Sequence, residues 1–582
     1  MERPLLVRLF IALAALIMGT SCSNVTHEPA QETLDHHVHV DLDGTWSSTP
    51  WNPARDARGV PLPQPDEVVI TSRFVLPKDL VGHGSILVLE GLSWTAVVTV
   101  NGHKLDAVRG GPGPVDVALG QHLRPGENTI TVEVSGPEDA PTLLVGHTEP
   151  AAKLVTPPRL ILRPEHGLEL VTATLSDGGV DLRAITRGEA EGWSVQFSAW
   201  RDGERMADWG TAVVSDGRAE VQASTWSGAL WPDEDALFML HATVRNATGR
   251  VVDSGAWRTG LRRFELKDGK TRLNGQTYPL LGLRKHNAGL EHGLRILGQA
   301  GLNLAEFHGE VPTSAELALA DELGVALAVL PRCDGRIKAS RDAVLEAGTE
   351  LAEQDAAMIA HVAHSPSVLL WSTEGSAINR EGYSVGRPLI KNMRADPIER
   401  LVAAWDIAAF AIPSTGPDES LNERRDRAGL AEDSPFWILE VHLEGGDPSN
   451  EAIAAALKAS IDAGAVGGVL PGAVEQDTSW APFWATVAPT LGIRPVRLNN
   501  RRAHARVTGQ GLRPGEILSV KTDGGPHTAA VAGSDGTATV SVWHAGPASV
   551  GTPRGQQSIS LRPGSWSEAA WSGQTTQVQA SP

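Results

Sequence analysis

The sequence predicts a multidomain protein that combines β-sandwiches with an α/β barrel. Three observations predict this fold class. The chain has 582 residues, which is too many for one hydrophobic core. Short alternating strands broken by Gly and Pro fill residues 41–264, as in two consecutive β-sandwiches. Strand-like and helical runs then alternate over residues 265–494, which is typical of a (β/α)8 barrel, before residues 495–582 return to strands and form a C-terminal β module.

The first 21 residues are predicted to be a signal peptide of the lipoprotein type. Arg3 and Arg8 precede the apolar run Leu9–Met18, which is too short to span a bilayer. Small residues lead directly into Cys22 and resemble a bacterial lipoprotein box. We therefore expect a lipid on Cys22 as the only membrane attachment, and a location in the bacterial cell envelope, in the periplasm or on the outer membrane. Ordinary signal cleavage beside an incidental cysteine is the alternative.

Residues 22–40 are polar and lack a periodic pattern, so they are expected to form a tether. On this interpretation His36, His37 and His39 are solvated.

Both expected sandwiches show strands of alternating polarity. The clearest strands in residues 41–150 are Ser85–Glu90, Ala96–Val100 and Asn128–Val134. Those in residues 151–264 are Leu168–Ala173, Trp193–Ala199 and Phe238–Val244. Asn101-Gly102 follows one strand directly and predicts a β-hairpin.

The barrel region contains seven clear strand candidates. They are Pro279–Leu283, Asn303–Phe307, Val325–Leu330, Val368–Trp371, Leu401–Ala404, Phe436–Leu439 and Val466–Leu470. One more strand, the sixth, is expected between residues 410 and 427, where the pattern is weak. A capping box, Thr313 with Glu316, predicts a helix start, and Ser449 caps another helix.

Charge and cysteine content exclude several classes of partner. The net charge of −19 disfavours nucleic acid and anionic membrane surfaces, which bind basic patches. If Cys22 is lipidated, Cys333 has no partner for a disulfide, and it is expected to be a buried small residue. The 19 histidines show no zinc-ligand spacing, and we expect no metal and no cofactor.

Several short strings, in this order, resemble one family. They are Leu42–Trp46, Arg73-Phe74, Ala96–Gly102, Trp231-Pro232, Gly260–Arg262 and His364–Ser372. The chain is similar to glycoside hydrolase family 2, which includes β-galactosidases, β-glucuronidases and β-mannosidases. The resemblance covers roughly residues 40–485. It implies a jelly-roll-like, sugar-binding first sandwich, an immunoglobulin-like second sandwich and a catalytic barrel.

The family resemblance implies a retaining β-glycosidase that hydrolyses O-glycosidic bonds in carbohydrate metabolism. Such enzymes place two carboxyl groups about 5–5.5 Å apart. In a barrel these come from the carboxyl ends of strands four and seven. Glu374 follows the fourth strand and matches the acid/base, and Glu440 ends the seventh and matches the nucleophile.

The acid/base string departs from the family pattern, which has Trp-Ser, two residues and then Asn-Glu. Here Trp371-Ser372 is followed directly by Thr373 and Glu374. Either two residues are deleted and Thr373 replaces the Asn as a sugar contact, or Ser376 occupies the position of the Glu and the general acid is lost.

Further candidate sugar contacts are His286, His308 and Trp480. Three other positions depart from the family, since Leu281 and Glu306 each replace an Arg, and Pro471 replaces a Trp. The alternative function is therefore a catalytically dead barrel that binds carbohydrate or serves as a surface scaffold. The Asn-x-Lys pair of glucuronidases is not evident, and galactosides, mannosides and glucosaminides stay open, as does the oligomeric state.

Overall fold

A computed structural model describes residues 34–42, 45–49, 67–93, 95–110, 113–135, 153–154, 156–188, 190–223, 226–267, 270–284, 290–308, 311–330, 358, 360–371, 449–462, 467–470, 481–494, 505–543, 545–552, 555–562, 566–570 and 580–581. These residues form a strand-rich, multidomain protein, as predicted. No helix among them combines the length and apolar character that crossing a membrane requires.

The first sandwich is built from twelve strands of the described chain. They are β1 (Val38–Asp41), β2 (Ser47–Thr49), β3 (Glu67–Leu76), β4 (Ile86–Leu89), β5 (Leu92–Ser93), β6 (Thr95–Val100), β7 (His103–Lys104), β8 (Val108–Arg109), β9 (Val115–Ala118), β10 (Gly126–Ser135), β11 (Lys153–Leu154) and β12 (Arg159–Leu162). One sheet has the order β2-β3-β10-β6-β7. Ile130, Val132 and Val134 alternate along β10 and are buried, which is the period of a strand with one face in the core. The predicted hairpin is confirmed, because Asn101 and Gly102 join β6 to β7 with φ of 51° and 84°.

A second, two-sheet sandwich follows. Its strands are β13 (Gly167–Ser176), β14 (Gly179–Arg187), β15 (Ser194–Arg201), β16 (Glu204–Val213), β17 (Arg218–Ala223), β18 (Leu237–Arg245) and β19 (Val251–Gly260). They form sheets of order β13-β14-β17 and β16-β15-β18-β19. Phe197 and Phe238 are fully buried between the sheets, beside Trp209.

After residue 264 helices occur between the strands. The strands are β20 (Phe264–Lys267), β21 (Lys270–Leu273), β22 (Gln276–Thr277), β23 (Leu280–Arg284), β24 (Leu304–His308), β25 (Ala326–Leu330), β26 (Val368–Trp371) and β27 (Gly467–Leu470). The helices are α1 (Leu290–Gln299), α2 (Ser314–Leu323), α3 (Asn450–Asp462) and α4 (Ala481–Val487). Strands β23 to β27 correspond to five of the seven predicted strands, within one residue at each end. The other two candidates, Leu401–Ala404 and Phe436–Leu439, lie outside the described residues.

These five strands form one parallel sheet of order β26-β25-β24-β23-β27. The last of these five strands in sequence, β27, therefore lies beside the first, β23. One face packs on the helices through residues such as Leu283, Phe307 and Val329. The opposite face holds Leu304 and Ala328 in a separate core that includes Trp231 and Tyr278.

The C-terminal module completes the fold with strands β28 (Ala505–Gln510), β29 (Ile517–Thr522), β30 (His527–Val531), β31 (Ala538–Val542), β32 (Gly546–Thr552), β33 (Gly555–Leu561), β34 (Trp566–Ala570) and β35 (Ala580–Ser581). Four of them extend the sheet of the first sandwich, which has the order β33-β32-β29-β30-β1-β12-β4-β9. Strand β1 is the junction, parallel to β30 and antiparallel to β12.

The expected tether is wrong for residues 34–40. Leu34 and Val38 are 2% and 0% exposed, and His37 is buried beside Asp253. The physical reason is that β1 has only four residues and its two neighbours in the sheet come from distant parts of the chain. An alternation of four residues is too short to distinguish a strand from an irregular polar segment in the sequence.

Candidate active site

The candidate site lies at the carboxyl edge of the parallel sheet. Arg284 pairs with Glu306, His308 with Leu330, and Val329 with Trp371. Because all these pairings are parallel, the strands end at the same edge, where loops carry catalytic residues in α/β folds.

Most of the predicted site residues stand at these strand ends, or just after them in the sequence. His308 is the last residue of β24. His286 is two residues beyond β23, and Thr373 and Glu374 are two and three residues beyond β26. The described strands thus bring the chain leading to His286, His308 and Glu374 to one edge. Trp480 directly precedes α4.

The side chains of all seven predicted site residues lie outside the described part of the chain. They are Cys22, His286, His308, Thr373, Glu374, Glu440 and Trp480, and of these only the backbone of His308 is described.

Glu306 is an acid inside this sheet. It is 0% exposed and lies on β24 two residues before the carboxyl end. Ala305 and Phe307, its neighbours in sequence, pack on the helices, so Glu306 shares the opposite face with Leu304. Its backbone register partners are Arg284 and Ala328. The acid that replaces a family Arg therefore lies within the sheet and not on the outer surface.

Asn303 joins the amino ends of two strands. Its amide Nδ2 donates to the carbonyl of Pro279 at 3.0 Å, and its Oδ1 accepts from the N–H of Leu281 at 3.0 Å. The residue is fully buried, so these bonds satisfy its amide and set β23 against β24.

The start of β26 is held by Asp321, which sequence reasoning missed. Ser365 Oγ donates to Asp321 Oδ1 at 2.5 Å, and the N–H of Ser367 donates to the same oxygen at 3.1 Å. Trp231 Nε1 donates to the carbonyl of Asp321 at 3.0 Å. Burial raises the pKa of Asp321, against the opposing effects of Arg258 and the Ser365 hydrogen bond. An Asp inside helix α2 is the only local signal for this role.

Arg262 completes this anchor. Its Nη2 donates to the carbonyl of Val368, the first residue of β26, at 2.5 Å. Burial lowers the pKa of Arg262 to about 10, although the charge of Asp321 opposes this shift. Two strings that carry the family resemblance, Gly260–Arg262 and His364–Ser372, thus meet at the base of the strand that leads to Glu374.

Helix α2 is fixed at its other end by the first sandwich. Ser314 Oγ donates to Glu90 Oε1 at 2.6 Å, and Arg159 Nη2 donates to the same oxygen at 2.5 Å. Burial alone would raise the pKa of Glu90, but the charge of Arg159 and the hydrogen bond from Ser314 have a larger combined effect. The pKa of Glu90 is therefore lowered. The predicted capping box, Thr313 with Glu316, is confirmed.

The described residues contain no group of three or more His, Cys, Asp and Glu arranged to hold a metal ion.

Curated relatives of the chain are β-galactosidases. The enzyme of Enterobacter cloacae is 26% identical over 225 residues, which are 36% of this chain and 22% of that protein. The enzyme of Aeromonas hydrophila is 24% identical over 363 residues, 56% of this chain and 34% of that protein. The matched part is thus about a fifth to a third of the length of these relatives. No protein-family model matches the chain.

Solved structures with the same fold are β-glucuronidases. That of Bifidobacterium dentium, complexed with coumarin-3-O-glucuronide, has 16% identity and a TM-score of 0.54 over 77% of this chain and 96% of that chain. The FMN-binding β-glucuronidase of Faecalibacterium prausnitzii L2-6 has 16% identity and a TM-score of 0.54 over 90% of this chain and 98% of that chain. In sequence the chain is thus similar to β-galactosidases and in fold to β-glucuronidases, in agreement with the expected resemblance to glycoside hydrolase family 2.

Proposed function

We propose that the chain is a retaining β-glycosidase whose active site lies at the mouth of a (β/α)8 barrel. The observation that supports this most strongly is the strand order of the parallel sheet. Strand β27, the last of these five strands in sequence, pairs with β23, the first of them. A βα series returns its last strand to the first when it closes into a barrel. Residues 372–466, between β26 and β27, have room for the three remaining strands.

Glu374 and Glu440 are the proposed catalytic pair. Glu440 attacks the anomeric carbon as a carboxylate, and Glu374 protonates the departing oxygen. Water then enters with Glu374 as the base, and the product keeps the β configuration. The anchors on β26 support this assignment, since Asp321 and Arg262 fix the strand that ends three residues before Glu374.

The proposed substrate is a β-linked glycoside or oligosaccharide. His286, His308, Thr373 and Trp480 are the proposed contacts to the sugar. Galactosides agree with the sequence relatives, and β-mannosides and glucosaminides belong in the same test.

Substitution of the two carboxyl groups tests the proposal. Across a panel of aryl β-glycosides, Glu440→Gln is expected to lower kcat about 10⁴-fold, and Glu374→Gln about 10²–10⁴-fold. Glu451→Gln, an exposed residue of α3, is the control and is expected to keep wild-type activity. Unchanged hydrolysis by Glu440→Gln would show that the proposed nucleophile is wrong.

A dead barrel that binds carbohydrate is the second candidate. The shortened string Trp371–Glu374 and the buried Glu306 favour it. It predicts calorimetrically detectable binding of a sugar from the same panel, with no turnover of any aryl glycoside.

We further propose that the mature protein is exported and carries a lipid on Cys22. Metabolic labelling with a tagged fatty acid is expected to mark the wild type but not Cys22→Ser. Labelling of both would place the lipid elsewhere.

A further inference from the structure

Strand β1 links two modules that are far apart in sequence. Val38, His39 and Val40 pair antiparallel with β12 of the first sandwich, and the same residues pair parallel with β30 of the C-terminal module. The backbone of β1 therefore carries the contact between these two halves of one sheet.

Immediately before β1, His36 contacts the first residue of β30. Its ring stacks on His527 with centroids 4.7 Å apart and an interplanar angle of 14°. His36 Nε2 lies 2.6 Å from His527 Nδ1, and His36 Nδ1 lies 2.9 Å from Asp35 Oδ1. A hydrogen bond between two imidazoles needs one ring nitrogen to accept, so it exists only while one ring is neutral.

The next residue fastens the same segment to the second sandwich. His37 Nε2 lies 3.0 Å from Asp253 Oδ2, which also accepts from the N–H of Leu168 at 2.7 Å. The N–H of His37 donates to the carbonyl of Ser254 at 2.8 Å. These contacts join residue 37 to the second sandwich.

The other charged groups that face the segment are mostly cationic. Burial lowers the pKa of His527 to about 3, assisted by His36, Lys521 and His39. Burial likewise lowers the pKa of His39 to about 3, assisted by Arg159, His37 and His364. Asp35 is the acid facing His36, and its pKa is lowered chiefly by its hydrogen bond to His36.

We propose that residues 35–39, together with His527 and Asp253, form an acid-sensitive histidine clasp that holds the C-terminal module on the first sandwich. Protonation of both His36 and His527 removes the acceptor of their hydrogen bond and places two positive charges in contact. Strand β30 then separates from β1, while His37 and Asp253 keep β1 on the second sandwich.

Acid is expected to weaken the docking of the C-terminal module, because proton uptake by histidine is linked to its release. A histidine with a lowered pKa in the docked state takes up a proton when it is released. Docking is therefore complete above about pH 6.5, the ordinary pKa of histidine, and weakens as the pH falls towards about 3. For one proton, the undocking constant rises about tenfold per pH unit.

Hydrogen exchange of the full chain tests the clasp, with protection corrected for the intrinsic pH dependence of exchange. Between pH 6.5 and 4.5, protection of β30 is expected to fall about tenfold per pH unit, whereas β10 in the first sandwich stays protected. In the variant H36Q/H527N, the side-chain amides can keep the hydrogen bond but cannot titrate. The protection of β30 should then depend less steeply on pH.

A matched pair of stacked histidines serves as the control. His103 and His122 have ring centroids 3.9 Å apart outside the clasp, and H103Q/H122N should keep the wild-type slope. If H36Q/H527N does not fold, the single variant H527N and the comparison of β30 with β10 in the wild type carry the test. Equal loss of protection in β30 and β10, or an unchanged slope in the clasp variants, would overturn the proposal.

Discussion

At the scale of single residues, Asp321 shows how one buried carboxylate positions a candidate catalytic strand. It accepts from Ser365 and Ser367 directly before β26 and is 5% exposed. A buried N–H or hydroxyl that loses its acceptor retains the full cost of leaving water.

We therefore expect Asp321→Ala to lower the free energy of unfolding by about 2–4 kcal/mol. Urea denaturation at pH 7 measures the change. The control Asp233→Ala alters an exposed acid and should change stability by less than about 0.5 kcal/mol. Equal effects of the two variants would mean that Asp321 is not an anchor.

The Asp321 anchor also marks a limit of sequence reasoning. The string His364–Ser372 correctly predicted β26, because an apolar run is a local signal. The partner of Ser365 is 44 positions away, and that of His36 is 491 positions away. Such contacts depend on the folded chain path and leave no periodic pattern.

At the scale of elements, helix α2 is defined by signals that the sequence contains. Thr313 Oγ1 accepts from the N–H of Glu316, and the N–H of Thr313 donates to Glu316 Oε2 at 2.8 Å. Gly324 ends the helix in the left-handed region, with φ of 71°. The capping box at the start was predicted from the sequence, and the glycine at the end is a signal of the same local kind, because capping acts within a few residues. Strand β1 was not, because its pairing is with distant strands.

Removal of this cap has a defined cost. Thr313→Ala is expected to lower the free energy of unfolding by about 0.5–2 kcal/mol, because the N–H of Glu316 loses its acceptor, Thr313 Oγ1. Urea denaturation again gives the value. Thr486→Ala is the control, since Thr486 Oγ1 only donates back to the carbonyl of Pro482 within α4. A loss no larger than that of the control would show that the sandwich contact of Ser314 alone holds this end.

At the scale of the whole molecule, ionisable groups join the modules. Arg258 of the second sandwich forms a 2.6 Å ion pair with Glu322 of α2 and lies 5.4 Å from the ring centroid of Trp543 in the C-terminal module. This contact joins the second sandwich, helix α2 and the C-terminal module through charged side chains. The sequence shows 19 histidines but not which of them are buried.

Stability of the whole chain should consequently fall in mild acid. Burial lowers the pKa of His241 and His364 to about 4, and of His39 and His527 to about 3. Each of these histidines resists protonation when folded and accepts a proton when unfolded, so its contribution is complete above about pH 6.5 and declines below it. Two acids with raised pKa, Asp116 and Asp321, oppose this effect.

These four histidines, together with His361, whose pKa burial also lowers, outnumber the two acids and leave a net uptake of at least about two protons on unfolding near pH 5. The free energy of unfolding should then fall by about 2.7 kcal/mol or more per pH unit between pH 6 and 5, because each proton contributes about 1.36 kcal/mol. Urea titrations at pH 7, 6 and 5 measure this slope. His241→Asn lies outside the histidine clasp and should reduce the slope by about one proton, whereas the exposed His103→Asn should leave it unchanged. A stability that is flat or rises towards pH 5 would mean that these histidines are already protonated in the folded chain.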